Sequence, residues 1–340
     1  MSDSSTSPKK SLRTAVIAAA ASAAVVAAAV SASSALAAAP THHHQRVISD
    51  VRTVARFDYS AGEIPENLTF NPDRSVTLSM IGAAAHQAPQ LIRVSPSGQR
   101  TVLAASPQGD GITGNIRGKD GTVYYNVWSS DASRAGVWKI APGKSPERLA
   151  ALPTDGLPNG MAIDPSGRTI YVADSLKSTV WAVPVAGGKA KAWLTDPALA
   201  PVPTEAVPFG ANGLRFHKGA VWVSNLAKDS LLRIPVTADG RPGRIHVVTR
   251  NIDGVDDFSF LDDRSDVVFA AQNAPDKVSV IYPDGRVRTA LTHADGLASP
   301  SAIAVRDGRL YVIDGGLNAP HDAQMQSGRI EVGARAHRTP

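Results

Sequence analysis

One pattern of polar and apolar positions recurs along the chain. A polar residue, often followed by Gly, opens an apolar-x-apolar run. A turn with Asp, Ser or Gly comes next, and then a segment rich in β-branched and aromatic residues. The pattern is clearest in NGMAIDPSGRTIYVADS from Asn159 and NGLRFHKGAVWVSN from Asn212. Related copies are ENLTFNPDRSVTLS from Glu66, DDFSFLDDRSDVVFA from Asp256 and SAIAVRDGRLYVID from Ser301. A degenerate copy lies in GITGNIRGKDGTVYY around Thr113, with its register open by one residue. The starts are 47, 46, 53, 44 and 45 residues apart, which leaves room for four short strands and their turns. In the copy from Asn159 those strands read GMAI, TIYVAD, STVWAVPV and AKAWLT. Six such copies in constant phase predict an all-β, six-bladed β-propeller of four-stranded antiparallel blades; a two-sheet sandwich would not require constant phase. Ring closure needs the last sheet to be completed from the other terminus, so RVISDVRTVARF is expected to pair with the final repeat, beside GRIEVG.

At 340 residues and 43% hydrophobic content the chain can bury a large core, and the repeats assign it to one domain rather than two. The propeller is expected over 47–336, after a flexible leader at 38–46 and before a tail at 337–340. Residues 1–37 have the layout of a secretory signal peptide: Lys9, Lys10 and Arg13, then an Ala/Val-rich run over 15–30, then Ala35-Leu36-Ala37 with cleavage after Ala37. The run is shorter than the roughly 20 strongly apolar residues of a membrane span. The expectation is therefore a secreted, extracytoplasmic protein with no span once the signal is removed. There is no cysteine, which excludes disulfides, thiolate metal sites and a cysteine nucleophile. Without residues 1–37 the formal charge falls from +5 to +3, with the basic residues scattered, which argues against nucleic acid as a partner. His42, His43 and His44 lie in the leader and read as a solvated tail. No coiled-coil or amphipathic segment reads out an oligomeric state.

In a propeller the innermost strand of each blade lines the central channel, so residues at one repeat phase meet at one height on the axis. At the opening phase stand Glu66, Thr113, Asn159, Asn212, Asp256 and Ser301. Singly, Asn-Gly and Asp-containing dipeptides are ordinary turn signals. Their shared phase is the specific feature. Two carboxylates and two carboxamides in a narrow channel would repel or stay unpaired without a cation between them. Glu66, Asn159, Asn212 and Asp256 are therefore the candidate metal ligands. Their hard oxygens favour Ca2+, with Mg2+ and Mn2+ as alternatives.

These residues and the stretch PNGMAIDPSGRTIYVADS resemble the senescence marker protein-30/gluconolactonase family over roughly 56–330. The resemblance implies a six-bladed propeller with calcium held by Glu66, Asn159, Asn212 and Asp256 at the channel mouth. It implies lactonase or related hydrolase activity on a small lactone or ester, in which the metal polarises the carbonyl. Asp256 is the candidate catalytic carboxylate, activating water or attacking directly, with Asp257 beside it as an alternative. An arginine that holds the substrate in the sugar-lactone branch is replaced here by Leu157, so a less polar substrate is expected. His217 and His86 are weighed as bases, with structural or surface roles favoured for both. No GxSxG elbow and no phosphate-binding glycine motif occur. The rival expectation is a non-catalytic propeller that binds a ligand or protein around a structural ion. Three connections are candidates to carry specificity: MIGAAAHQAPQ, VWSSDASRAG and the proline-rich DPALAPVPTEAVPFG, which accounts for the 53-residue interval.

Overall fold

The computed structural model describes residues 46–331; the expected signal peptide, most of the leader and the tail lie outside them. The described chain forms six four-stranded antiparallel sheets. Their innermost strands are Pro65–Phe70, Gly111–Arg117, Pro158–Ile163, Ala211–His217, Val255–Phe260 and Pro300–Arg306, here numbered blades 1 to 6. In blades 1 to 5 the chain runs from the innermost strand outward through consecutive hairpins. Blade 3 follows the sequence reading closely, with strands Pro158–Ile163, Thr169–Asp174, Thr179–Pro184 and Lys191–Thr195.

Blade 6 closes the ring. Its outermost strand is Ile48–Arg56, which pairs antiparallel with Gln324–Ile330, from Ile48 opposite Ile330 to Arg56 opposite Gln324. The expected pairing of RVISDVRTVARF with the last repeat is present, and Gly328-Arg329-Ile330 lies beside it. Closure joins the two ends of the described chain by a backbone ladder, so no blade is left with an unpartnered face.

The hydrophobic residues collect into six clusters, and each is shared by two neighbouring blades. Leu91 and Ala104 meet Ile112, Val123 and Tyr125 between blades 1 and 2. Tyr124, Val137 and Leu149 meet Met161, Ile170 and Val172 between blades 2 and 3. The series continues round to Leu78, Met80 and Ile92 against Ala302, Ile313 and Met325 between blades 6 and 1. Strand periodicity explains the sharing. In Ala220–Asn225, Val221 and Val223 pack toward blade 3, whereas Ala220 and Trp222 pack toward blade 5. The strands are hydrophobic on both faces because both faces are buried, which is why their sequences read as near-continuous apolar runs. Among the described residues no helix is long and apolar enough to cross a membrane.

Phe269 is fully buried between blades 5 and 6. Phe269→Ala is expected to cost about 3–5 kcal/mol in denaturant unfolding, through lost burial and the cavity left behind. Val102→Ala, at a side chain that is 55% exposed, should change stability by less than about 0.5 kcal/mol.

Candidate functional site

Each innermost strand carries a register shift against its neighbour at the same place. One extra residue is inserted between Pro158 and Met161, between Ala211 and Leu214, between Val255 and Phe258, and between Ile112 and Asn115. The same shift falls between Pro65 and Asn67 and between Pro300 and Ala302. A β-bulge leaves a residue out of the ladder and re-aims its side chain. The residues in that position are Glu66, Thr113, Asn159, Asn212, Asp256 and Ser301, which fixes the register of the degenerate second repeat on Thr113. The Asn-Gly pairs are thus bulges inside strands, not turns. Their glycines allow close approach of the next blade: a Cβ on Gly160 would lie 2.4 Å from the Leu214 amide nitrogen, and one on Gly213 would lie 2.6 Å from Asp257 Oδ1.

All six bulge residues line one cavity of about 120 Å3 on the channel axis. Thr113 Oγ1 donates to the Pro158 carbonyl at 2.6 Å and Ser301 Oγ to the Pro65 carbonyl at 2.8 Å, so these hydroxyl protons serve blade-to-blade packing. The polar floor left facing the cavity is Glu66, Asn159, Asn212 and Asp256, the predicted quartet. Asn212 donates to the Asp256 carboxylate, and Asn273 Nδ2 approaches Asp256 Oδ2 at 3.4 Å.

The electrostatics of this floor are unusual. Burial, then the neighbouring Asp257 charge, push the Asp256 carboxyl from the ordinary 3.8 up to about 8. Burial and the charges of Asp256 and Asp257 push Glu66 well up too. Asp257 points away, toward Arg215, whose Nη2 donates to its Oδ2 at 2.5 Å. Burial raises Asp257, and the Arg215 charge opposes the rise. Among the described residues no Lys, Arg or His lines the cavity. Among the described residues no three His, Cys, Asp or Glu side chains gather as a metal cluster; four oxygen donors are reached here only by counting the two carboxamides. The buried Asp256 and the half-buried Glu66, without a cationic side chain beside them and flanked by neutral oxygen donors, fit a hard divalent cation.

The walls are apolar. Ile64, Ile81, Trp128, Leu157, Val207 and Phe209 contribute most of them. All three connections singled out in the sequence supply wall residues: Ile81 and Ala83 from the first, Trp128 from the second, Val207 and Phe209 from the third. The proline-rich third connection is held in place, with Leu199 fully buried and Asn225 Nδ2 donating to the carbonyls of Ala198 and Ala200 at 2.9 and 3.1 Å. His86 is exposed and outside the cavity. His217 sits at the other end of its strand from Asn212, stacked on Phe260 at 3.7 Å with Nε2 3.0 Å from Asp266, a structural contact.

Asn273 and Asn318 also line the cavity and were not anticipated. Both follow the second strand of their blade, as do Ile81, Leu226 and Gly315. This second channel-facing phase of the repeat was readable in principle, but its residues vary from Ile to Asn and show no common chemistry.

No family model matches the sequence, and no curated protein matches it. Solved structures share the fold. A protein described as a candidate gluconolactonase is 17% identical with a TM-score of 0.59, over 84% of this chain and 92% of that one. Virginiamycin B lyase from Staphylococcus aureus is 10% identical with a TM-score of 0.55, over 82% and 99%. An auxiliary nutrient binding protein from Bacteroides thetaiotaomicron is 9% identical with a TM-score of 0.63, over 83% and 76%. The class defined by fold is the six-bladed β-propeller, and at these identities the likeness extends to architecture alone.

In protein kept free of divalent ions, the raised Asp256 sets a pH dependence of stability. Below pH 3.8 native and unfolded chains both hold the proton. Between 3.8 and about 8 only the native chain holds it, so stability falls as pH rises through this window. The slope contributed is up to about 1.4 kcal/mol per pH unit. Thermal melts in chelator from pH 5 to 8 should show this fall, and Asp256→Asn should make it shallower, with burial of Glu66 and of Asp314 leaving a residual fall.

Proposed function

We propose that this chain is a divalent-metal-dependent hydrolase, with calcium as the ion, acting on a small, uncharged and weakly polar lactone or ester. The supporting observation is the composition of the channel cavity: two carboxylates and two carboxamides on the floor, no cationic side chain among the described residues, and apolar walls. Glu66, Asn159, Asn212 and Asp256 would hold the ion. Bound there, it supplies Lewis acidity toward a carbonyl oxygen. Asp256 would take a proton from the attacking water as the acyl–oxygen bond breaks and the alcohol oxygen leaves, or would attack the carbonyl carbon itself with the same bond broken and water then cleaving the acyl–Asp256 anhydride; Asn212 and Asn273 orient its carboxylate. Trp128, Phe209 and Leu157 hold the apolar body of the substrate and exclude bulk water. On this reading the protein acts outside the cytoplasm, after removal of residues 1–37.

The walls bear on selectivity. A substrate hydroxyl buried against them without a partner costs about 1–3 kcal/mol, or roughly 5- to 150-fold in binding. Aliphatic δ-valerolactone should therefore be hydrolysed with a kcat/KM at least about tenfold above that of glucono-δ-lactone, whose hydroxyls find few partners there.

A panel of aliphatic lactones, sugar lactones and aryl esters, assayed with calcium and with chelator, tests the reading. Asp256→Asn should lower kcat on a confirmed substrate by about 100-fold or more while the fold persists by circular dichroism. Unchanged turnover in Asp256→Asn would remove Asp256 from the chemistry. Bound calcium with no turnover of any substrate would instead favour the binding propeller.

A further inference from the structure

The seam where the ring closes carries a second cavity, and we propose that it is a binding site for a small anionic amphiphile, a carboxylate, sulfate or phosphate head on an apolar body. The cleft has a volume of about 640 Å3 and lies between blades 6 and 1. Five arginines line it, namely Arg56, Arg74, Arg100, Arg306 and Arg309, against one acid, Asp307. Its floor is apolar: Phe70 and Tyr311 meet edge to face at 4.8 Å, with Val76, Val94 and Met325 around them.

The arginines divide into two kinds. Arg56 is paired with Asp322 at 2.5 Å and Arg100 with Glu63, so their charges are balanced. Of the other three, only Arg306 has a carboxylate within reach among the described residues, and that contact is long and exposed. Arg309 donates from Nε to Ser327 Oγ at 2.8 Å and from Nη2 to the Asp50 carbonyl at 3.3 Å, with no carboxylate partner among the described residues. Arg306 donates to the Asn71 carbonyl at 3.1 Å and lies 5.2 Å over the Phe70 ring. Its nearest acid, Asp307, is 3.6 Å away and 88% exposed. Arg74 makes no side-chain hydrogen bond or ion pair with any described residue, and its backbone sits at φ +67°, a region that costs a non-glycine residue about 1 kcal/mol or more.

Three guanidinium groups without firm anionic partners, set beside aromatic and aliphatic surface, are complementary to one class of ligand. Guanidinium binds oxyanions through paired, charge-assisted hydrogen bonds, and the apolar floor gains by covering a hydrocarbon or aromatic body. Neither half of the cleft suits a neutral polar ligand or a cation. This site is separate from the channel cavity; the two share no lining residue.

The test is calorimetric titration of the intact protein with octanesulfonate at low salt, with octanol and inorganic sulfate as the two halves of the probe. Saturable binding is expected, at least about tenfold tighter than either half and weakened by added salt. The double variant Arg74→Gln/Arg309→Gln should lose at least about tenfold in affinity while keeping a cooperative melting transition and lactone hydrolysis, because neither residue touches the channel. Asn159→Ala should leave the affinity unchanged, which locates the probe outside the channel. Equal affinity for octanol, unchanged affinity in the double variant, or no saturable binding would each overturn the proposal.

Discussion

Glu66 and Asp256 converge on one cavity from blades 1 and 5, and among the described residues no positively charged side chain lines that cavity with them. Burying one carboxylate is costly, and burying two side by side is costlier still, unless each keeps a proton or a cation sits between them. The fold imposes this arrangement. Six innermost strands point the same repeat position at one axis, so whatever occupies that position in each blade must coexist with five others. Nearby, Asp257 turns out to Arg215, which offsets part of the cost of its burial, whereas Asp256 and Glu66 remain facing the axis.

Holding that convergence together takes the whole ring. The apolar clusters lie between blades, so each sheet is stabilised by two neighbours and the floor is positioned by all six. The Ile48–Arg56 strand completes the last blade, which packs on the first through Ala302, Ile313 and Met325 against Leu78, Met80 and Ile92. The bulges add the final aim. At Asn159 and Asn212 the extra residue is followed by glycine, which lets adjacent innermost strands approach within contact distance of backbone atoms. An apolar wall from three separate connections then sits over a polar floor.

Much of this was legible in the sequence because repetition converts spacing into geometry. The 44- to 53-residue intervals carry the blade count, and one phase of the repeat carries Glu66, Asn159, Asn212 and Asp256 to the axis. Leu157 was legible as apolar, and it lines the wall. The bulges were not, because Asn-Gly is a turn signal in isolation and only the strand pairing shows it as an insertion within a ladder. Asn273 and Asn318 were missed because they lie after the second strands, where the repeat retains position but not residue type. Separating the roles of Asp256 and Asp257 needed the Arg215 contact, which joins residues 42 apart in sequence on different blades.

The central claim is that the paired carboxylates are completed by a divalent cation. Calcium titration of the chelator-treated protein by calorimetry, at pH 7 in two buffers of different ionisation enthalpy, tests it most directly. A protonated Asp256 must give up its proton to ligate, so the account predicts a single calcium site with net proton release, seen as a buffer-dependent heat. Absence of a calcium heat, or binding whose heat is the same in both buffers, would contradict it.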